Sequence, residues 1–194
     1  KEGASEVHSL DSSKKAIERM EIYIALASVG TIADIMPLYG ENRSIIKYGL
    51  EVFKAGKGHK GIQSLLKKSD LTAKNIVWDI APLLNTPGRL GKTWLTVDFF
   101  LNEDIEKNSE ILKEIEKLNR ERKNLVSSVT EKIKNKIALQ KDDNKIYYYI
   151  DNEIMNGLAG LIASRIADEV KKPVIIAVEE SDSDMVKGSG RSYN

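Results

Sequence analysis

The stretch from Asp104 to Ile137 reads DIEKNSEILKEIEKLNRERKNLVSSVTEKIKNKI and contains neither Gly nor Pro. Its apolar residues recur in steps of three, four or seven, which places them in one narrow stripe along a single helix. They are Ile111, Ile115, Leu118, Leu125, Val129, Ile133 and Ile137. A helix of this length would span about 50 Å at ~1.5 Å per residue, roughly the width of a domain. The pattern therefore predicts a long helix that connects two folded units.

The polar face of this helix carries more positive than negative charge. Between Lys113 and Lys136 there are eight Lys or Arg and four Glu. A solvated helix whose apolar stripe packs on a core would explain both the stripe and the charge. A face turned toward nucleic acid would explain them equally well, and both interpretations stay open.

The composition of the whole chain excludes several kinds of site. The net charge of the 194 residues is +1, so any contact with a polyanion must come from local clusters. The chain has no Cys, and its two His, His8 and His59, are not in metal-ligand spacing. A disulfide framework, a cysteine nucleophile and a zinc site built from His and Cys are therefore excluded. No apolar run approaches the ~18 residues of a membrane span, so we expect a soluble, cytoplasmic protein with no membrane partner.

Both ends of the chain indicate a piece of a longer protein. The chain opens on Lys1 rather than Met, and it stops at Asn194 just after a glycine-rich segment. We therefore expect that some residues of an active site could lie before Lys1 or after Asn194.

A single aspartate, Asp34, lies inside the otherwise apolar segment from Val29 to Leu38. A carboxylate among such residues is costly unless it is hydrogen-bonded, paired with a cation or bound to a metal. A helix-capping role and a metal-ligand role are both compatible with the pattern.

The stretch PLLNTPGRLG, residues 82–91, combines two Pro and two Gly and predicts a stiff, tightly turned loop. A loop of this kind can hold the guanidinium of Arg89 in one orientation, which suits bidentate phosphate recognition. It could equally be a connector whose arginine pairs with a nearby acid.

The last third of the chain predicts a small α/β unit. Its expected parts are a strand over Lys145–Ile150, a helix over Gly157–Val170, a strand over Pro173–Val178, a turn over Asp182–Asp184 and a third strand from Met185 to Ser192. Gly157 and Gly160 would permit close backbone approach at the start of the helix. The segment GSGRS, residues 188–192, could bring amides, hydroxyls and a guanidinium onto one phosphate, although Gly-Ser-Gly is most often a turn.

Five short motifs, taken in order, resemble the RecJ-type exonucleases of the DHH phosphoesterase superfamily. They are VGTIADIMPL at 29–38 with the following ENR, NTPGRL at 85–90, LNRER at 118–122, GLAGLIASR at 157–165 and KGSGRS at 187–192. The resemblance runs from about Ile22 to Ser192. It implies an α/β fold, with the helix-rich end of a DHH catalytic domain over 1–103, a long connecting helix over 104–139 and the start of a small DHH-associated α/β domain over 140–194.

The resemblance also implies a function. It is that of a divalent-metal-dependent exonuclease that degrades single-stranded DNA from its 5′ end in DNA repair and recombination. We expect a monomer whose partner is single-stranded DNA, and other DNA-repair proteins stay open as partners.

The resemblance assigns roles to particular residues. Asp34 would be the catalytic metal ligand for Mn²⁺ or Mg²⁺, with the other ligands in D-x-D and D-H-H motifs upstream of this chain. Because a lone carboxylate cannot hold such a cation, we expect the isolated chain to be inactive. The binding of the 5′ phosphate and the neighbouring backbone is assigned to Asn85, Arg89, Gly188, Ser189, Gly190, Arg191 and Ser192.

Two departures from the family pattern concern contacts with nucleic acid. Met155-Asn156-Gly157 stands where many members have His-Pro-Gly, and Leu83 stands where many have Arg. Both departures weaken the transfer of detailed nucleic-acid contacts from the family to this chain. Two alternatives to the exonuclease stay open: a smaller DHH phosphodiesterase acting on oligonucleotides or cyclic dinucleotides, and a non-catalytic, nucleic-acid-binding relative.

Overall fold

The computed structural model describes residues 2–66, 72–139, 144–179 and 185–193, with side chains from residue 12 onward. Within these ranges the helices are α1 Glu2–Ala33, α2 Gly40–Lys54, α3 Lys60–Leu65, α4 Ala73–Asn75, α5 Ala81–Leu84, α6 Thr86–Arg89, α7 Thr93–Leu101, α8 Ile105–Ala138 and α9 Asn156–Val170. A π-helical segment spans Ile76–Ile80, and the strands are β1 Tyr147–Ile150, β2 Val174–Glu179 and β3 Val186–Arg191. The fold is α/β and rich in helix, as expected. None of the described helices is long and apolar enough to cross a membrane.

Helix α8 confirms the predicted long helix within one residue at either end. Each residue of the predicted apolar stripe is buried or half-buried, and Ile115 and Ile133 have no exposed surface. Asp104 begins the helix, because its Oδ1 accepts hydrogen bonds from the backbone N–H groups of Glu106 at 2.8 Å and Lys107 at 3.3 Å. The apolar spacing and this cap together determine where the helix runs.

The chain divides into two compact units, residues 1–84 with 98–112 and residues 85–97 with 113–194. Helix α8 contributes to the first unit through Leu112 and to the second from Lys113. The domain boundaries at 103 and 139 inferred from the family resemblance stay a prediction.

In the first unit, helix α1 packs on α2. Any Cβ at Gly49 would overlap the side chain of Ser28, so the two helices approach closely at this pair. Helix α1 begins at Glu2 and is much longer than α2. Ile17, in the middle of α1, is 62% exposed.

In the second unit, the strands form one sheet in the order β1-β2-β3. Strand β1 is parallel to β2 and β3 is antiparallel to it, with α9 as the connection between β1 and β2. The predicted strand, helix and strand are confirmed, and so is the third strand, whereas the Asp182–Asp184 turn lies outside the described residues. The core of this unit is built from α8, α9 and the sheet, with buried residues that include Ile133, Leu158, Ile162, Ile166, Val174 and Ile176.

Candidate anion-binding site

One face of helix α9 is bordered by the arginine-bearing segments predicted from sequence. Gly157, Gly160 and Ser164 lie on this face, because residues three and four apart in a helix are neighbours. A Cβ at Gly157 would overlap the carbonyl oxygen of Arg89, so α6 and α9 approach through their backbones. The expected close approach at these glycines is confirmed, and the group that approaches is the protein itself.

Arg191, at the end of β3, lies across the same face. Its Nε donates to the Ser164 hydroxyl at 3.2 Å, and its Nη1 donates to the Ser189 hydroxyl at 3.1 Å and the Gly190 carbonyl at 2.7 Å. A Cβ at Gly160 would come within 2.9 Å of Arg191 Nη2, so only glycine leaves room for the guanidinium in this position. The structure therefore brings Ser189 and Arg191 together on α9.

Arg89 reaches the first turn of α9 from another element. Its Nη1 donates to the Gly157 carbonyl at 3.2 Å. The stiff, tightly turned loop predicted over 82–91 is wrong in detail, because the structure has two short helices, α5 and α6, with Pro87 in the first turn of α6. Proline is compatible with a first helical turn, where its missing N–H costs nothing. This helical turn holds Arg89 beside α9.

A third arginine, Arg122 on α8, belongs to the same unit. Its Nη2 donates to Asn119 Oδ1 at 2.9 Å, and the buried Thr86 hydroxyl donates to the same oxygen at 3.2 Å. Burial, and then the positive charges of Arg89 and Arg165, lower the pKa of Arg122. Arg122 is therefore a desolvated cation close to two others.

These arginines share one property: the oxygen atoms that accept their hydrogen bonds are uncharged. Arg89, Arg122 and Arg191 bond to carbonyl, carboxamide and hydroxyl oxygens, and among the described residues none of them pairs with a carboxylate. Arg89 and Arg122 are half-buried, and arginines in such positions are usually paired with acids. The positive charge of each of these side chains is therefore left for an anion from outside.

Asp34 lies in the first unit, at the end of α1. Backbone N–H groups of Ile35 and Met36 donate to the carbonyls of Ile32 and Thr31, at 3.1 Å each, which is a Schellman motif. Ile35 has φ of +53°, a strained conformation for a β-branched residue in a position that usually holds Gly. The expectation of a carboxylate held among apolar side chains is wrong, because Asp34 is exposed and Ile35 is 79% exposed.

The capping interpretation of Asp34 also fails. Asp34 follows the last residue of a helix, where a negative charge is unfavourable to the helix dipole, and Tyr39 rather than Asp34 precedes α2. An exposed carboxylate beside a strained turn contributes nothing evident to stability. The ligand role of Asp34 stays a prediction.

The described residues do not by themselves form a metal site. No group of three or more His, Cys, Asp or Glu side chains able to hold a metal occurs in the described ranges. Asp34 could supply one oxygen ligand, whereas Mg²⁺ or Mn²⁺ needs several. We therefore derive no catalytic step through a metal from this chain.

The other residues predicted to bind phosphate differ from one another in their surroundings. Gly188 is required by packing, because a Cβ there would lie 2.6 Å from the Ile176 carbonyl oxygen on the neighbouring strand. Gly190 has ordinary space around it, and Asn85 and Ser192 are exposed. Their phosphate contacts stay predictions.

Sequence reasoning assigned no role to Asn119, Arg122 or Ser164. Asn119 and Arg122 lie within the LNRER motif, and Ser164 lies within GLAGLIASR. The three-residue spacing of Asn119 and Arg122 was the available signal, since it places both side chains on one face of a helix.

Comparisons with known proteins match most of this chain. The single-stranded-DNA-specific exonuclease RecJ of Bacillus subtilis strain 168 is 31% identical over 172 residues, which are 86% of this chain and 22% of that protein. RecJ of Escherichia coli K12 is 29% identical over 194 residues, which are 94% of this chain and 33% of that protein. No family model matches the chain.

Solved structures agree with the sequence matches. A crystal structure of RecJ in complex with Mn²⁺ from Thermus thermophilus matches 89% of this chain and 25% of its own, with a TM-score of 0.76 and 30% identity. A crystal structure of exonuclease RecJ bound to manganese matches 89% of this chain and 43% of its own, with a TM-score of 0.74 and 29% identity.

The chain is therefore related to the exonucleases specific for single-stranded DNA. Its sequence is similar to part of RecJ, and its fold is similar to the corresponding part of the RecJ structures. It spans between 22% and 33% of the length of these curated relatives.

Proposed function

We propose that the full-length protein is a divalent-metal-dependent 5′-to-3′ exonuclease that hydrolyses the phosphodiester bonds of single-stranded DNA, in the cytoplasm, for DNA repair and recombination. The observation that carries the proposal is the face of α9, where Arg89 and Arg191 are held by uncharged acceptors. An anion that binds there gains charge-assisted hydrogen bonds without displacing a carboxylate.

The hydroxyls at this face support phosphate as the anion. Ser164 and Ser189 each accept a hydrogen bond from Arg191, which leaves the proton of each hydroxyl for donation. A terminal phosphate offers several oxygens and a higher charge than an internal phosphodiester. A 5′ phosphate is therefore the group that this arrangement would favour.

The metal requirement is proposed from the relatives. RecJ from Thermus thermophilus has been crystallised with Mn²⁺ and with Mg²⁺. Since the described residues contribute at most Asp34 to such a site, we expect no metal-dependent nuclease activity from these 194 residues alone. Digestion of single-stranded DNA by the isolated chain, abolished by EDTA, would contradict this expectation.

The test uses the full-length protein and labelled oligonucleotides. Single-stranded DNA should be degraded with Mn²⁺ or Mg²⁺ and spared with EDTA, whereas duplex DNA should be spared throughout. Blocking the 5′ end should stop degradation and blocking the 3′ end should not. Preferred hydrolysis of a cyclic dinucleotide would instead favour a smaller phosphodiesterase, and binding without hydrolysis would favour a non-catalytic relative.

A further inference from the structure

Asn119 on α8 accepts two hydrogen bonds at one atom. Its Oδ1 receives Arg122 Nη2 at 2.9 Å from the next turn of the same helix and Thr86 Oγ1 at 3.2 Å from α6. Thr86 has no exposed surface. The carboxamide is therefore fixed from a second element, and it determines where the Arg122 guanidinium lies.

The positive charge and the hydrogen-bond donors of Arg122 are not fully satisfied in this position. Its Nε is buried and has no hydrogen-bond partner among the described residues. The guanidinium also lies close enough to Arg89 and Arg165 to be affected by their charges. A donor left unpaired and a cation placed near other cations both cost stability. Perturbed charged groups of this kind occur preferentially at functional sites, where a bound anion can offset the excess positive charge.

Arg122 also lines an open space large enough for a ligand. A cavity of about 320 Å³ lies between α8 and the segment after α6. Leu90, Leu118, Leu125 and Met155 form its apolar wall, and Lys92, Glu121 and Arg122 are its charged groups. Apolar walls with a few charged groups are typical of small-ligand sites.

We propose that Arg122 is a second phosphate contact, distinct from the Arg191 and Ser189 position, and that Asn119 is the positioning residue that orients Arg122 without neutralising it. The proposal rests on the proposed function for its ligand, a phosphodiester of single-stranded DNA. A carboxylate at position 119 would hold the guanidinium equally well but would cancel its charge. The carboxamide keeps both the geometry and the charge.

The decisive variant is Asn119→Asp in the full-length protein. The new ion pair should raise the Tm, because a half-buried cation gains a counter-charge, and it should weaken binding of an oligothymidylate about ten- to a hundredfold. Asn124→Asp is the matched control, since Asn124 is exposed on the same helix and the substitution adds the same charge. A purely structural Asn119 would give a change in Tm with binding equal to that of Asn124→Asp, and this result would overturn the proposal.

A second pair of variants keeps the proposal testable if Asn119→Asp fails to fold. Arg122→Gln should weaken binding of the same oligothymidylate about ten- to a hundredfold. Arg120→Gln removes the same charge from an exposed position on α8 and should change binding much less. Equal binding by the two glutamine variants would overturn the proposal.

Inorganic phosphate separates this inference from the proposed function. Phosphate should raise the Tm of the wild-type protein more than that of Arg122→Gln, whether or not DNA is a substrate. If the wild-type protein does not degrade DNA but shows this difference in the Tm shift, the proposed function fails and the anion contact stands. If DNA is degraded but Arg122→Gln and Arg120→Gln behave alike with DNA and phosphate, the anion contact fails and the function stands.

Discussion

The guanidinium of Arg191 donates from Nε to the hydroxyl of Ser164 at 3.2 Å, which ties the last described strand to helix α9. Arg191 is exposed, so its hydrogen bonds rather than close packing orient this long side chain. The hydroxyls of Ser164 and Ser189 and the carbonyl of Gly190 therefore decide where its charge is presented. Preorganisation of this kind lowers the entropy lost when a ligand binds.

Replacing Ser164 by Ala should weaken binding of single-stranded DNA several-fold, because Arg191 keeps its charge and loses one of its orienting partners. The matched control is Ser128→Ala, since among the described residues the hydroxyl of Ser128 bonds to the Leu125 carbonyl of its own helix and to no side chain. Titrations of both variants at one salt concentration provide the measurement. Equal binding by the two would show that the bond to Ser164 plays no part in recognition.

Replacing Arg191 by Ala should weaken binding more strongly, by about ten- to a hundredfold, which corresponds to a charge-assisted contact of roughly 1.5–3 kcal/mol. The loss should be larger for strands with a 5′ phosphate than for strands with a 5′ hydroxyl. Arg191→Lys should not restore binding fully, because an ammonium cannot bond to Ser164 and to a phosphate with the planar fork of a guanidinium. The same loss for both kinds of strand would reduce Arg191 to a general backbone contact.

Replacing Gly157 by Ala should destabilise the protein by about 1–3 kcal/mol, because the new methyl group would overlap the backbone of Arg89. Gly30→Ala is the control: apart from its chain neighbours and its own helix backbone, no described atom lies within 4 Å of the added Cβ. Alanine in a helix is also favoured over glycine by up to about 1 kcal/mol. The two variants should therefore shift the Tm in opposite directions in thermal melts. Two shifts of the same sign would mean that α6 and α9 do not approach closely at Gly157.

Replacing Asp34 by Ala should abolish turnover in the full-length protein and leave single-strand binding within a few-fold, because the arginines are untouched. Stability should be unchanged or higher by about 0.5 kcal/mol, since a negative charge at a helix C-terminus is removed. Activity assays and melts on the same preparation separate the two effects. A drop in Tm together with full activity would make Asp34 a structural residue.

Replacing Asp151 by Asn should lower the Tm at neutral pH and have little effect at strongly acid pH. Hydrogen bonds from the backbone N–H of Glu153, at 2.8 Å, and from the Tyr149 hydroxyl, at 2.9 Å, help to lower the pKa of Asp151 below its ordinary value of 3.8. Because the folded state favours the charged form, this stabilisation is complete above the ordinary pKa and is lost as the pH falls through the folded-state pKa.

The expected size of this effect is about 1 kcal/mol at neutral pH, the scale of a partly exposed charged contact that includes Lys132. Melts of wild type and Asp151→Asn across the acid range provide the measurement. A difference in Tm that did not shrink on acidification would assign the loss to packing rather than to charge.

The regular elements of the second unit were predictable because their signals are local. Helix α8 follows from the apolar spacing within its own 34 residues, which can be read without reference to the rest of the chain. The strands β1 and β2 follow from short β-branched and aromatic runs. Arg89 and Arg191 could be singled out for the same reason, since glycine, proline and arginine at close spacing limit the chemistry of a segment.

The surroundings of single side chains were decided only by the tertiary structure. Asp34 is exposed because α1 ends in a Schellman motif that turns the following apolar residues outward, and no apolar count along the chain reports the direction of that turn. Arg122 meets Thr86 through Asn119, and Arg191 meets Ser164, across separations of 27 to 33 residues. The sequence alone determined α8, α9 and the three strands, because these depend on neighbours along the chain. The absence of a carboxylate beside these arginines, among the described residues, depends instead on which distant residues pack together.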